Sequence, residues 1–144
     1  MIEYINEIIN LQKEIDSKNS KYNNLIMEAR ELYFNGYFYS CVVTSCSIAE
    51  HILRALFFDN VDVNKKHLSR KTQKYLSFIK AKAICEFLVS ENVIPKKMLA
   101  SFKILGELNS KYSNIISVSP KEDAQRALYH LHKICNHIPL SAKY

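Results

Sequence analysis

Residues 37–58 read YFYSCVVTSCSIAEHILRALFF and contain neither Gly nor Pro. Apolar side chains recur through this stretch at helical spacing, which predicts one α-helix with a continuous apolar stripe. The stripe consists of Val42, Cys46, Ala49, Leu53 and Leu56. The polar residues in the middle of the stretch fall together on the other side, and they are Ser47, Glu50, His51 and Arg54. A helix this apolar is expected at the centre of a helical bundle, with its polar strip facing solvent, a groove or a partner.

Helical periodicity extends toward the N-terminus of this stretch. Residues 1–18 repeat isoleucine at helical spacing between acidic and lysine residues, which predicts an N-terminal amphipathic helix. Residues 22–34 predict a second helix. Gly36 should end that helix, with Asn35 beside it as a cap partner.

Toward the C-terminus, the stretch DNVDVNKKHLSRKTQ (59–73) is charged and mixed, so we read it as a loop that enters a helix near Leu68 or Ser69. Residues 74–93 read as helix. Pro95 stands where a further helix should begin, and that helix should continue to about Tyr112.

The last helix has the clearest start in the chain. Ser119 suits the N-cap, Pro120 suits the first helical position, and Glu122 and Asp123 suit the positive end of the helix dipole. Together these segments predict an all-α fold, a bundle of five to six helices that forms one domain over residues 1–144.

Composition agrees with this fold and limits the function. The chain has 144 residues, 48% of them hydrophobic, but only two glycines and three prolines, too few for a β-sandwich. The formal net charge of +6 favours an anionic partner such as RNA or an acidic protein surface, although a plain solvated surface fits equally well.

The cysteines and the apolar segments bear on the compartment. The four cysteines form no CxxC pair and lie among apolar neighbours, so we expect free thiols in a reducing cytoplasm rather than disulfides or a zinc site. The opening stretch MIEYINEIIN has no basic start, and no apolar run reaches about 18 residues. We therefore expect no signal peptide, no membrane partner, no metal and no cofactor.

Two stretches carry a family resemblance. The first, EARELYFNGYFYSCVVTSCSIAEHILRALF, has an Ala-containing helix, a Gly-containing step and a helix with a central Glu. The second half follows with a helix, the break SENVIPKK, a Leu-containing helix, a polar loop and the helix opening KEDAQRAL. Over about residues 22–138 this order resembles HEPN domains. The resemblance implies a dimeric helical bundle from microbial toxin–antitoxin, phage-defence or RNA-processing systems.

HEPN domains are often metal-independent endoribonucleases, whose signature is Arg, four to six residues, then His, late in the domain. In the stretch NSKYSN, Asn109 stands at the Arg position and Asn114 at the His position. Asn carries no charge and exchanges no proton near neutral pH, so the family's catalytic residues do not carry over, although Lys111 is a candidate phosphate contact. The stretch is either a degenerate active site or an ordinary polar helix end.

The last helix offers a second candidate site. Arg126 and His132 have the signature spacing, but six helical steps separate their side chains around the axis. Arg126 instead shares a face with His130, Lys133 and His137. This basic stripe is either a solvated face, a surface that binds RNA or an acidic partner, or a displaced catalytic site that uses Arg126 with His130 or His132.

The polar strip of the central helix is the third candidate. Glu50 and Arg54 predict an i, i+4 ion pair. The resemblance places the Glu near a dimer groove, which makes Glu50, His51 and Arg54 a candidate binding site. The aromatic cluster at Tyr37, Phe38 and Tyr39 predicts core packing or a dimer face rather than base stacking.

Three hypotheses follow. The first is a non-catalytic homodimer that binds RNA, a nucleotide or a protein partner, such as an antitoxin or an effector. The second is an active metal-independent endoribonuclease that uses Arg126 with His130 or His132. The third is a helical inhibitor or assembly protein with no nucleic-acid role.

Overall fold

The computed structural model describes residues 22–64, 79–114 and 119–137, and the helix predicted over 1–18 lies outside them. Every regular element in these ranges is helical, so the all-α prediction is confirmed there. The α-helices are α1 (Asn23–Phe34), α2 (Phe38–Asn64), α3 (Ala81–Ser90), α4 (Leu99–Ser113) and α5 (Pro120–His137). A single 3-10 turn, Lys96–Met98, leads into α4.

Helix α2 occupies the centre of the bundle, as its composition predicts. It packs against α1, α3, α4 and α5, and its contact with α5 is the most extensive of the helix pairs. All five residues of its predicted apolar stripe are buried, among them Val42 and Ala49. The facing side of α5 contributes Ala124, Ala127, Leu128 and Leu131 to the same core. Helices α4 and α5 lie side by side and pack on each other, which brings the end of α4 to the start of α5.

The predicted end of α1 is confirmed in detail. Asn35 is the C-cap, and Gly36 follows with φ of +82°, the left-handed conformation that favours glycine. The Tyr37 amide then donates to the Leu32 carbonyl at 2.8 Å, and the Gly36 amide donates to Tyr33 at 3.0 Å. This Schellman-type cap reverses the chain and starts α2 at Phe38.

The loop predicted to begin at residue 59 is wrong in its first part, because α2 continues to Asn64. The sequence contains no Gly or Pro between Gly36 and Pro95, so nothing in it ends the helix at residue 58. Charged residues alone do not end a helix. Residues 65–73 of that predicted loop lie outside the described ranges.

Of the helix predicted over 74–93, residues 74–78 lie outside the described ranges, and in the described part only Ala81–Ser90 is helical. Lys80 has extended backbone, with φ of −65° and ψ of 142°, and α3 begins at Ala81. The Ile79 carbonyl accepts a hydrogen bond of 3.1 Å from the Arg54 guanidinium rather than from an amide one turn later. After Ser90 a second Schellman-type cap ends α3, with Asn92 at φ of +58° in place of glycine.

Within the described ranges, one helical segment, Phe38–Asn60, is long and apolar enough to cross a membrane. The same segment is the core helix of the bundle, and core helices of soluble proteins pass the same test of length and composition. The absence of a membrane partner stays a prediction.

Candidate functional site

The end of α4 and the start of α5 are joined by a buried carboxylate. Asp123 Oδ2 accepts hydrogen bonds from Lys111 Nζ and from the Tyr112 hydroxyl, both at 2.8 Å. Arg126, one turn further along α5, has its Nη1 atom 3.9 Å from Asp123 Oδ1. The Asp123 side chain is only 5% exposed, whereas those of Lys111 and Arg126 are 39% and 47% exposed. One shielded carboxylate therefore holds two solvent-accessible cations.

A tyrosine from the start of α2 completes this group. The Tyr39 hydroxyl donates to the Tyr112 carbonyl at 3.2 Å, and the two rings lie 5.5 Å apart at an interplanar angle of 57°. Tyr39 remains 48% exposed. We call Tyr39, Lys111, Tyr112, Asp123 and Arg126 the Asp123 cluster. The structure thus brings together Lys111 of the degenerate motif and Arg126 of the last helix, which belong to two separate candidate sites in the sequence.

The asparagines of the degenerate motif lie at the end of α4 and point to no buried site. Asn109 is exposed, and its carbonyl accepts a hydrogen bond of 2.7 Å from Ser113 Oγ. Asn114 is the exposed C-cap of α4, and its side-chain amide donates to the Ser110 carbonyl at 3.3 Å. These contacts are local to the helix end, as in an ordinary polar helix terminus.

His130 is half-buried between α5 and α4. Its Nδ1 shares a hydrogen bond of 3.0 Å with the hydroxyl of Ser101, a buried residue in the first turn of α4. Burial lowers the pKa of His130 to about 4, and the nearby charges of Lys133 and Arg126 act in the same direction. At neutral pH the ring is uncharged, so His130 adds no positive charge to the predicted basic stripe.

His132 lies in the core rather than at a surface. It has no exposed area, and its Nδ1 donates to the Leu128 carbonyl at 2.7 Å. A side chain in this position cannot touch RNA while the bundle is folded. Arg126 and His132 lie on different sides of α5, as a separation of six residues along a helix predicts.

The remaining residues of the stripe lie further along α5. Lys133 Nζ lies 5.6 Å from the centre of the Tyr129 ring, a cation–π contact. His137 Nδ1 donates to the Lys133 carbonyl at 2.9 Å, and His137 borders a shallow depression together with Asn92 and Lys96. Arg126 and His137 are about 16 Å apart along the helix axis. The predicted stripe therefore does not converge on one site.

The polar strip of α2 is a separate location. Arg54 pairs with Glu50 at 3.1 Å, as the i, i+4 spacing predicts, and also donates a hydrogen bond to the Ile79 carbonyl. His51 is exposed, and its ring contacts Tyr22 edge-on at a centroid distance of 5.9 Å. Arg54 is thus engaged in holding the segment before α3.

In the described ranges, no group of three or more His, Cys, Asp and Glu residues could hold a metal. The four cysteines are buried, and none of them is in a disulfide. Burial raises the pKa of Cys41 and of Cys46 to about 12 and that of Cys85 to about 11. Their thiols are therefore protonated and poorly reactive in the folded protein.

Sequence reasoning missed three members of this region. Asp123 reads as a helix-start acid, Tyr112 as a helix-end aromatic, and Ser101 as an ordinary helical residue. Their partners lie on other helices or across the α4–α5 connection. The one signal in the sequence was the aromatic cluster that contains Tyr39. In the structure, Phe38 packs partly against the core, whereas Tyr37 and Tyr39 are 63% and 48% exposed. Core packing therefore does not explain the two tyrosines.

Comparison of the chain with protein-family models, curated proteins and solved structures gave no match.

Proposed function

We propose that this chain is a non-catalytic, HEPN-like helical module that forms a homodimer in the cytoplasm and binds RNA. The resemblance over residues 22–138 suggests the family, and with it a setting in microbial defence, toxin–antitoxin or RNA-processing systems. The all-helical bundle with α2 at its centre is compatible with that resemblance.

The observation that supports the absence of catalysis is the state of the two histidines on α5 that the signature spacing makes candidates, His130 and His132. Cleavage through the RNA 2′-hydroxyl needs a proton acceptor that reaches substrate and has a pKa near the working pH. His132 is fully buried, and His130 is half-buried with a pKa of about 4. The asparagines at the signature positions supply no replacement base.

Charge supports an anionic partner such as RNA. The net charge is +6, and residues 65–78 contribute five basic residues and no acidic one. At the Asp123 cluster, two cations are exposed while the carboxylate between them is shielded. Such cations suit the phosphate backbone of RNA, which presents a regular series of negative charges.

One observation favours the second candidate, an active metal-independent endoribonuclease. Arg126 and His130 lie on the same face of α5, close enough for the Arg126 charge to lower the pKa of His130. A neutral imidazole beside a guanidinium has the two groups that such chemistry needs. The low pKa makes His130 a weak base, so this candidate stands second.

A salt titration of RNA binding tests the proposed function. The purified chain should bind RNA at low salt, and the logarithm of the binding constant should fall steeply and linearly with the logarithm of salt concentration because counterions are released. Sedimentation should give twice the monomer mass. A chain that binds no RNA even at low salt would instead fit a helical inhibitor or assembly protein.

A further inference from the structure

Resting on the RNA binding proposed above, we infer that Tyr39, Lys111 and Arg126 form a site for single-stranded RNA. One base stacks on the Tyr39 ring, and the two cations hold the adjoining phosphates. The site is built by one protomer from the start of α2, the end of α4 and the start of α5.

The three side chains belong to one continuous network of contacts. Tyr39 donates to the Tyr112 carbonyl, and the residue before Tyr112 is Lys111. Lys111 and the Tyr112 hydroxyl both bind Asp123 at 2.8 Å, and Arg126 lies 3.9 Å from the same carboxylate. An exposed aromatic ring and two exposed cations are thereby held side by side on the surface.

Asp123 fixes the cations and is buried out of direct contact with a ligand, and its charge offsets one of their two positive charges. Its side chain is 5% exposed, so the carboxylate lies behind the two cations that it holds. Lys and Arg side chains lose much rotational freedom when a ligand immobilises them, and side chains that are already fixed lose less. The positive end of the α5 dipole lies at the same place and adds to the attraction for phosphate.

Tyr39 meets the requirements of a stacking platform. Its ring packs against Tyr112 and its hydroxyl is bonded, yet 48% of the residue is open to solvent. Base–aromatic stacking combined with cation–phosphate contacts is the usual basis of single-strand binding that tolerates any sequence. A duplex of the same length offers phosphates but no free base face, so it should bind more weakly than the single strand.

A second copy of this chain is the competing occupant of the surface, since Tyr39 also fits a dimer face. The two occupants differ in chemistry. An RNA strand uses both the ring and the cations and responds to salt, whereas burial of Tyr39 between copies changes the oligomeric state.

The test is fluorescence anisotropy with a labelled single-stranded RNA of about 12 nucleotides, titrated over a range of salt concentrations. Tyr39→Ser should weaken binding roughly tenfold and leave the salt slope unchanged, because it removes stacking and no charge. Lys111→Gln and Arg126→Gln should each lower the salt slope by about 0.7.

Matched controls separate these effects from general ones. Tyr39→Phe keeps the ring and should bind like the wild type. Lys97→Gln removes an exposed charge in the 3-10 turn before α4, about 20 Å from Lys111, and should leave affinity within roughly twofold. Because Lys111 contacts a buried carboxylate, circular dichroism and thermal unfolding must show that each variant is folded, and Lys111→Arg should keep binding.

The outcomes distinguish this site from the proposed function. A wild-type chain that binds no RNA at low salt contradicts both. A wild type that binds, with Tyr39→Ser and Arg126→Gln unaltered, keeps RNA binding but overturns this site. A Tyr39→Ser variant that changes only the oligomeric state shows that the surface joins two copies of the chain, and it also overturns the site.

Discussion

Lys111 Nζ lies 2.8 Å from Asp123 Oδ2, so the last turn of α4 is tied directly to the first turn of α5. The same carboxylate oxygen accepts the hydroxyl of Tyr112, which is itself buried. The stretch NSKYSN, in which the degenerate motif lies, therefore also links α4 to α5. Its lysine and the arginine of the last helix are organised by one acid that sequence motifs do not single out.

Replacing Asp123 with Ala should destabilise the protein by about 2 kcal/mol. The change removes the acceptor of two hydrogen bonds, one from a buried tyrosine, and a negative charge at the start of a helix. Urea unfolding at neutral pH measures the effect. Glu122→Ala is the matched control, because Glu122 is an exposed acid in the same turn.

The control should cost about 0.5 kcal/mol, which isolates the helix-dipole contribution. An Asp123→Ala variant no less stable than Glu122→Ala would show that the buried contacts contribute nothing to stability.

The two glycines should respond to alanine in opposite directions. Gly36 has φ of +82°, so Gly36→Ala should cost about 1 kcal/mol. Gly106 lies inside α4, where Gly106→Ala should add about 0.5 to 1 kcal/mol. An added Cβ meets no atom within 4 Å at either position, so backbone conformation alone sets both signs. Thermal or urea unfolding measures both changes. A shift of the free energy of unfolding in the same direction for both variants would contradict the backbone conformation described for one of the two glycines.

His130 should make stability fall under mildly acidic conditions. The pKa of this histidine is about 4 in the folded chain against 6.5 for the free side chain, mainly because of burial. Above pH 6.5 the His130 ring is unprotonated in both the folded and the unfolded chain. As the pH falls from 6.5 toward 4, the unfolded chain takes up the proton first, and stability is lost.

The loss assigned to His130 should be on the order of 1 kcal/mol, since the ring is only half-buried and solvent screens its neighbours. Urea unfolding of wild type and His130→Gln at pH 7 and pH 5 measures it. The wild type should lose more stability than the variant between the two conditions. Equal losses would mean that the ring is not shielded by Ser101 and α4.

The four cysteines give an independent test of the core. In the native chain, Ellman's reagent at mildly alkaline pH should label them at least about a hundredfold more slowly than in the unfolded chain. Burial and raised thiol pKa values both act in this direction. Rapid labelling of one thiol in the native chain would place that cysteine outside the core.

Local signals predicted most of the fold. The apolar stripe of α2, the Gly36 turn and the Pro120 start depend on neighbours within a few residues, and the structure confirms them. The start of α3 involves a residue far away in sequence, because Arg54 donates to the Ile79 carbonyl. No periodicity in residues 74–93 carries that information.

The candidate site divides in the same way. The Glu50–Arg54 pair is set by spacing within one helix and is confirmed. The pKa of His130 depends on Ser101 and on burial by a second helix, and the position of Lys111 depends on Asp123 beyond the α4–α5 connection. The sequence supplied the side chains of the Asp123 cluster, but only the packing of α2, α4 and α5 brings them together.

The most direct test of the central claim is an RNA-cleavage assay with a metal chelator present, run on the wild type beside Arg126→Ala and His130→Ala. RNA binding and dimer mass are measured on the same samples. The wild type should bind RNA and leave it intact, and neither variant should cleave it. Cleavage by the wild type that is lost in Arg126→Ala and His130→Ala, with both variants folded, would contradict the non-catalytic account and establish a ribonuclease site on α5.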